Sequence, residues 1–166
     1  MSSADEAMLR SLGSAGPQDA VTVRFRRLDH GRDLPAPGAG SAASAGSDLR
    51  AAVTATLTLE PGARALVPTG MALEIPHGWE GQVRPRSGLA LEHGVTLLNS
   101  PGTIDADFRG EVCVLLVNLG AEPFTVRRGD RVAQIVFARV ASAQYREAAQ
   151  LAATERGEGG FGSTGR

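Results

Sequence analysis

The sequence predicts an all-β domain, a sandwich, barrel or jelly roll, on three observations. Short apolar runs, many alternating apolar and polar residues, recur at short intervals along the chain. Turn formers stand between them, drawn from 21 glycines and 9 prolines in 166 residues. Aromatics make up 4% of the chain against 42% hydrophobic residues, so one modest core must be built from Val, Leu, Ile and Ala. The length suits a single domain.

Residues 1–20, rich in Ser, Ala, Gly and Asp, carry no sustained pattern and are expected to form a flexible extension, with room for a helical turn over 5–12. The first strand is expected over 21–26, where apolar and polar residues alternate. Residues 31–47 are thick with Gly, Ala, Ser and Pro and predict a loop. Strands follow at 48–52 and 54–59, then the turn Glu60-Pro-Gly62. A strand at 64–67 is expected to end in the turn Pro68-Thr-Gly70, with another at 71–75. The turn Pro76-His-Gly78 leads to a strand at 79–84, and 87–92 predicts one short helical turn. The remaining strands are expected at 95–98, 102–105, 111–118, 124–127 and 131–140. The β domain therefore spans 21–140, and 141–166 form a C-terminal arm. Its Ala-rich part, 141–155, suits a short helix or an extended segment. The glycine-rich end, 156–166, cannot bury a core and would be mobile alone.

A formal net charge of −1 argues against a broad nucleic-acid or membrane surface, since both need a dense basic face. It leaves room for one small polyanion held by a few placed cations. The single cysteine, Cys113, forms no internal disulfide and no cysteine-rich zinc site. No apolar run approaches the roughly 20 residues of a membrane span, and 1–20 lack a signal-peptide pattern. A cytoplasmic protein is expected.

Three segments carry chemistry. In Arg156-Gly-Glu-Gly-Gly-Phe-Gly-Ser-Thr-Gly165, glycines would let backbone N–H groups approach phosphate oxygens. Ser163 and Thr164 add hydroxyls, Arg156 a planar cation, and Phe161 a flat face for a base. The bland alternative is a disordered tail. Pro85-Arg-Ser-Gly-Leu-Ala90 ends a strand and opens a helical turn, which suits an anion, although a surface Arg with a capping Ser explains it as well. Asn99-Ser-Pro-Gly-Thr-Ile-Asp-Ala-Asp-Phe-Arg-Gly-Glu111 is hairpin-like and holds two carboxylates, Asp105 and Asp107. Such groups serve as general bases toward water, or simply cap turns.

These segments, together with Ala45-Gly-Ser-Asp-Leu-Arg-Ala51 and Arg128-Gly-Asp-Arg-Val-Ala-Gln134, resemble in order the five motifs of the trimeric deoxyuridine triphosphatase (dUTPase) family. The match covers nearly everything from Val21 onward. The resemblance implies a dUTPase-like β-clip or jelly roll assembled as a homotrimer, each active site taking motifs from more than one subunit. It implies Mg²⁺-assisted hydrolysis of dUTP to dUMP and diphosphate by water attack on the α-phosphorus. That reaction keeps uracil out of DNA and supplies dUMP for thymidylate synthesis. Asp105 is then the base that orients and deprotonates the water, and Asp48 holds Mg²⁺ through water. Arg86, Ser87, Gly88 and Gln134 contact phosphate. Arg156, Gly162, Ser163 and Thr164 close on the γ-phosphate, and Phe161 stacks on uracil. Asn99, Gly102, Thr103 and Ile104 read the uracil edge, and Phe108 packs under the deoxyribose.

Two positions depart from the family pattern. Ser47 stands where an aromatic is frequent, and Phe108 where tyrosine is usual. The nearest rival is dCTP deaminase, which resembles this chain less well because it carries glutamate where Asp105 lies. A jelly roll that has lost catalysis is the non-enzymatic alternative. His30, His77 and His93 are expected as solvated surface residues, and Cys113 as a small core hydrophobe. Trp79 is expected to pack on the sheet or on a subunit contact. Arg128-Gly-Asp130 is expected to be a strand turn.

Overall fold

The computed structural model describes residues 20–41, 43–160 and 163. The described residues hold ten strands: β1 (Arg24–Arg27), β2 (Ser47–Arg50), β3 (Leu57–Leu59), β4 (Arg64–Glu74), β5 (Trp79–Arg84), β6 (Val95–Leu97), β7 (Gly102–Ile104), β8 (Glu111–Asn118), β9 (Phe124–Val126) and β10 (Arg131–Arg139). One α-helix, α1 (Ser87–His93), follows β5, and a 3-10 turn occupies Asp29–Gly31. The strands make two four-stranded sheets, ordered β1-β4-β8-β6 and β2-β10-β5-β7, plus the pair β3-β9. Every pairing is antiparallel. The all-β expectation holds.

The core lies between the two large sheets, where Leu49, Val83 and Ile135 from one join Val67, Val112, Val114 and Leu116 from the other. Among the described residues no buried hydrophobic residue is aromatic, in keeping with the composition. Alternation on β8 sorts its faces: Val112, Val114 and Leu116 point in, while Glu111, Cys113 and Leu115 are half-buried on the outer face. Cys113 is therefore not the core residue expected. It lies one position out of phase with the buried set, and burial, then the Glu111 charge, raises its thiol pKa.

The expected turn at Pro68-Thr-Gly70 is instead part of one unbroken strand. Both halves of β4 pair with the same partner, β8, so the chain has no cause to reverse. The register slips between Pro68 and Ala72, and Gly70 adopts φ 68°. This is a bulge, which accommodates a proline because the ladder is interrupted there. The carboxylate of Glu111 closes it, accepting the Gly70 N–H at 2.7 Å and facing His30 Nε2 at 2.9 Å. His30 is thus a partnered, partly buried side chain rather than a solvated one. Its carbonyl also accepts from Arg128 at 2.6 Å, and Arg128 pairs with Asp33. Arg128-Gly-Asp130 is indeed the turn between β9 and β10, with Gly129 at φ 85° and Asp130 Oδ2 accepting the Arg127 N–H at 2.7 Å.

His77 and His93 are exposed, His93 lying against the Phe124 ring at 5.1 Å. Trp79 packs on the core and carries the Arg139 guanidinium over its ring at 5.0 Å. Residues 141–155 form no helix. Their large side chains have nothing to pack on, with Tyr145 96% and Leu151 89% exposed, and short helices without a buried face are marginal in water. The expected extension lies almost wholly outside the described residues.

Candidate active site

Strand pairing brings three distant segments side by side. Gln134 on β10 sits opposite Asp48 on β2 and opposite Arg84 at the end of β5. The chain leaves β5 through Pro85, so Arg86, Ser87 and Gly88 continue at the same edge. A cleft of about 410 Å³ results, lined by Asp48, Arg84, Arg86, Ser87, Arg131 and Gln134, with Gly46 and Gly88 among the small residues. Gln134 is fixed by donating from Nε2 to the Pro85 carbonyl at 2.9 Å. Gly46 makes room for it, since a Cβ there would stand 2.3 Å from Gln134 Oε1. The N-cap position of α1 is held by Arg86 without a side-chain cap bond, so Ser87 is not the capping serine that the bland reading required.

Asp48 lies between two guanidiniums. Arg86 Nε is 3.2 Å from one carboxylate oxygen, and Arg131 Nη1 is 3.3 Å from the other. Sequence reasoning found Asp48, Arg86, Ser87, Gly88 and Gln134, which the fold gathers, but missed Arg84 and Arg131. Arg84 has the spacing of a strand end, and its place beside the cleft follows only from pairing. Among the described residues no group of three or more His, Cys, Asp or Glu converges as a metal cage.

The other predicted residues lie elsewhere on the chain. β7 pairs with β5, setting Gly102, Thr103 and Ile104 opposite Val83, Gln82 and Gly81. Gly102 is buried, and a Cβ there would approach Asn99 Nδ2 to 3.2 Å. Asp105 is exposed at the head of a turn, its carbonyl accepting the Phe108 N–H at 3.1 Å. Phe108 is 41% exposed, and its ring lies over Gly110, where a Cβ would be 2.7 Å away. Asp48 on β2 and the hairpin that follows β7 lie at opposite edges of the sheet β2-β10-β5-β7. Three inter-strand steps separate those edges, on the order of 14 Å. One chain therefore does not bring Asp105 to Asp48.

Arg156 folds back on its own segment, donating from Nε to the Gly159 carbonyl at 2.7 Å. Ser163 is exposed, and its N–H donates to the Gly160 carbonyl at 3.0 Å. The predicted residues Phe161, Gly162 and Thr164 lie outside the described residues.

A family model described as dUTPase matches residues 32–165. The deoxyuridine 5'-triphosphate nucleotidohydrolase of Methylocella silvestris is 59% identical over 149 residues, covering 89% of this chain and 93% of its own. Among solved structures, a variant of the Staphylococcus bacteriophage 80alpha dUTPase with dUpNHpp shares the fold at TM-score 0.78 and 23% identity, covering 87% of this chain and 99% of that one. A dUTPase variant from phage phi11 of S. aureus, described with a structural Mg(II) ion, aligns at TM-score 0.69 and 22% identity over 78% of this chain and 97% of that one.

Proposed function

The chain belongs to the dUTPase family, and from that premise we propose that it hydrolyses dUTP to dUMP and diphosphate by water attack on the α-phosphorus. The observation that carries this reading is the meeting of Asp48, Arg86, Ser87, Gly88 and Gln134 in one polar cleft. The chemistry asks the protein chiefly to position the triphosphate and offset its charge. Arg86 offers a forked cation and Ser87 a hydroxyl where α1 begins, and Gln134 an amide from within β10.

Asp105 is assigned as the base that accepts the proton of the attacking water. Its exposed place on the hairpin suits a site completed by another copy of the chain. A homotrimer follows, with the cleft of one subunit facing the hairpin of the next. The separation of Asp105 from Asp48 across one sheet supports it, as do the exposed Leu66 and Leu98 on the sheet β1-β4-β8-β6 and its margin. Asn99 and the backbone of 102–104 would read the uracil edge, and the tight Gly102 hairpin would exclude the thymine methyl. Phe108 would pack on the deoxyribose and hinder a 2′-hydroxyl. Arg156, Phe161, Gly162, Ser163 and Thr164 would cover the nucleotide as a lid.

The donor set fits Mg²⁺ brought in with substrate. This ion favours phosphate oxygens and retained waters over an all-protein cage, and Asp48 supplies one carboxylate at the cleft to accept from those waters. When bound, the ion would offset charge on the triphosphate. A cytoplasmic location belongs to the same reading.

The deciding experiment incubates the protein with dUTP, dCTP, dTTP and UTP, with and without Mg²⁺, and follows diphosphate release. Release from dUTP alone, stimulated by Mg²⁺, is expected. Ammonia from dCTP would point to the deaminase instead. Asp105→Asn is expected to abolish turnover, and wild-type turnover in that variant would remove Asp105 as the base.

A further inference from the structure

Arg131 and Gln134 stand three residues apart on β10, and in a regular strand such positions face opposite sides of the sheet. Here both line the same cleft. The cause is a break in the strand: the register of β10 against β2 shifts between Arg131 and Ala133. Val132 and Ala133 are consecutive buried residues, at 1% and 0% exposure, where alternation would have turned one of them outward. The irregularity aims the Arg131 guanidinium at Asp48 Oδ2, opposite Arg86 on Oδ1. Bulges beside functional sites commonly re-aim one side chain in this way.

We propose that Arg131 is a triphosphate-binding residue that rests on Asp48 until nucleotide arrives, so that its release couples nucleotide binding to Mg²⁺ binding. The proposal rests on the dUTPase reading. Three arginines and one aspartate line the cleft. Arg84 is already engaged by the Gln82 side chain. Arg86 and Arg131 share the one carboxylate. A triphosphate carries several negative charges and attracts both guanidiniums more strongly than one carboxylate does. As they turn to phosphate oxygens, both oxygens of Asp48 become free to accept hydrogen bonds from Mg²⁺-bound waters. Before that exchange, two fixed positive charges beside Asp48 oppose a divalent ion. Nucleotide and Mg²⁺ then bind with positive coupling, each raising affinity for the other by the same factor.

The test is calorimetric titration of the full chain with dUpNHpp, with Mg²⁺ alone, and with dUpNHpp in the presence of Mg²⁺. Wild type, Arg131→Met and Arg131→Lys are compared. In Arg131→Met, dUpNHpp without Mg²⁺ should bind about tenfold more weakly, the scale of one charged hydrogen bond. Mg²⁺ alone should bind more tightly than to wild type, and the factor linking the two ligands should shrink. Arg131→Lys keeps the charge and should recover part of the nucleotide affinity, which also serves if the methionine variant folds poorly. Wild-type affinities and coupling in a folded Arg131→Met or Arg131→Lys protein would overturn the proposal, leaving Arg131 as a mere neutraliser of Asp48. Failure of wild type to bind dUpNHpp would instead sink the dUTPase reading.

Discussion

Gly31 and Gly70 cross backbone to backbone, so that a Cβ on Gly31 would stand 2.4 Å from the Gly70 carbonyl oxygen. That carbonyl accepts the Leu28 N–H at 2.8 Å, and the Gly70 N–H is held by Glu111 at the start of β8. The crossing therefore ties the segment after β1 to the bulge in β4 and to the strand that follows the Asp105 hairpin. Gly31→Ala forces backbone apart and is expected to cost about 3 kcal/mol. Thermal melting at fixed protein concentration checks this. An unchanged melting temperature would mean that the crossing relaxes freely.

Asn118 is fully buried and saturated: Nδ2 donates to the Leu59 and Glu122 carbonyls at 2.9 and 2.8 Å, and Oδ1 accepts the Gly120 N–H at 2.9 Å. Asn118→Ala leaves two carbonyls and one amide without partners, a loss of about 3–5 kcal/mol. Asn118→Asp should be no milder, because it turns a charge toward the same carbonyls. Chemical denaturation reads both variants, and a deficit below about 1 kcal/mol would show that water or a shifted loop replaces the bonds.

Asp33 lies outside the site and gives a pH signature. Its hydrogen bond from Arg128 holds its carboxyl below the usual range of 3.8, helped by its own backbone and by the Arg128 charge. A depressed folded-state value stabilises the fold above the unfolded pKa, and this is lost as pH falls through the folded one. Asp33→Asn should therefore lower the melting temperature at neutral pH, with the gap from wild type closing as pH drops below about 4. The pair is solvent-exposed, so high salt should shrink the gap. A gap that widens in acid would contradict the assignment.

Deleting residues 156–166 tests the lid. The described part of this segment bonds to itself, through Arg156–Gly159 and Gly160–Ser163 contacts, and to Thr154 just before it through the Gly157 N–H, and not to the β domain. Assembly mass by light scattering should be unchanged, while dUTP turnover falls at least about a hundredfold through lost positioning. Normal turnover in the truncated protein would remove the lid assignment without touching the family.

Much was legible without coordinates. Strands β5, β8 and β10 and helix α1 fell within a residue or so of expectation, because alternation and turn residues are local signals. The aromatic-free core followed from composition, and five cleft residues followed from motif order. The tertiary structure alone decided the rest. Pro68-Thr-Gly70 looks like a turn until β8 pairs with both sides of it. His30 looks like a surface residue until Glu111 arrives from far along the chain, and the burial of Asn118 is set by the Leu59 carbonyl brought to it from a distant strand. Arg131 has the wrong strand parity for the cleft until the slip in β10 turns it there. Local sequence sets which residues favour a strand, whereas register, and with it the direction each side chain faces, is set by a partner strand distant in sequence.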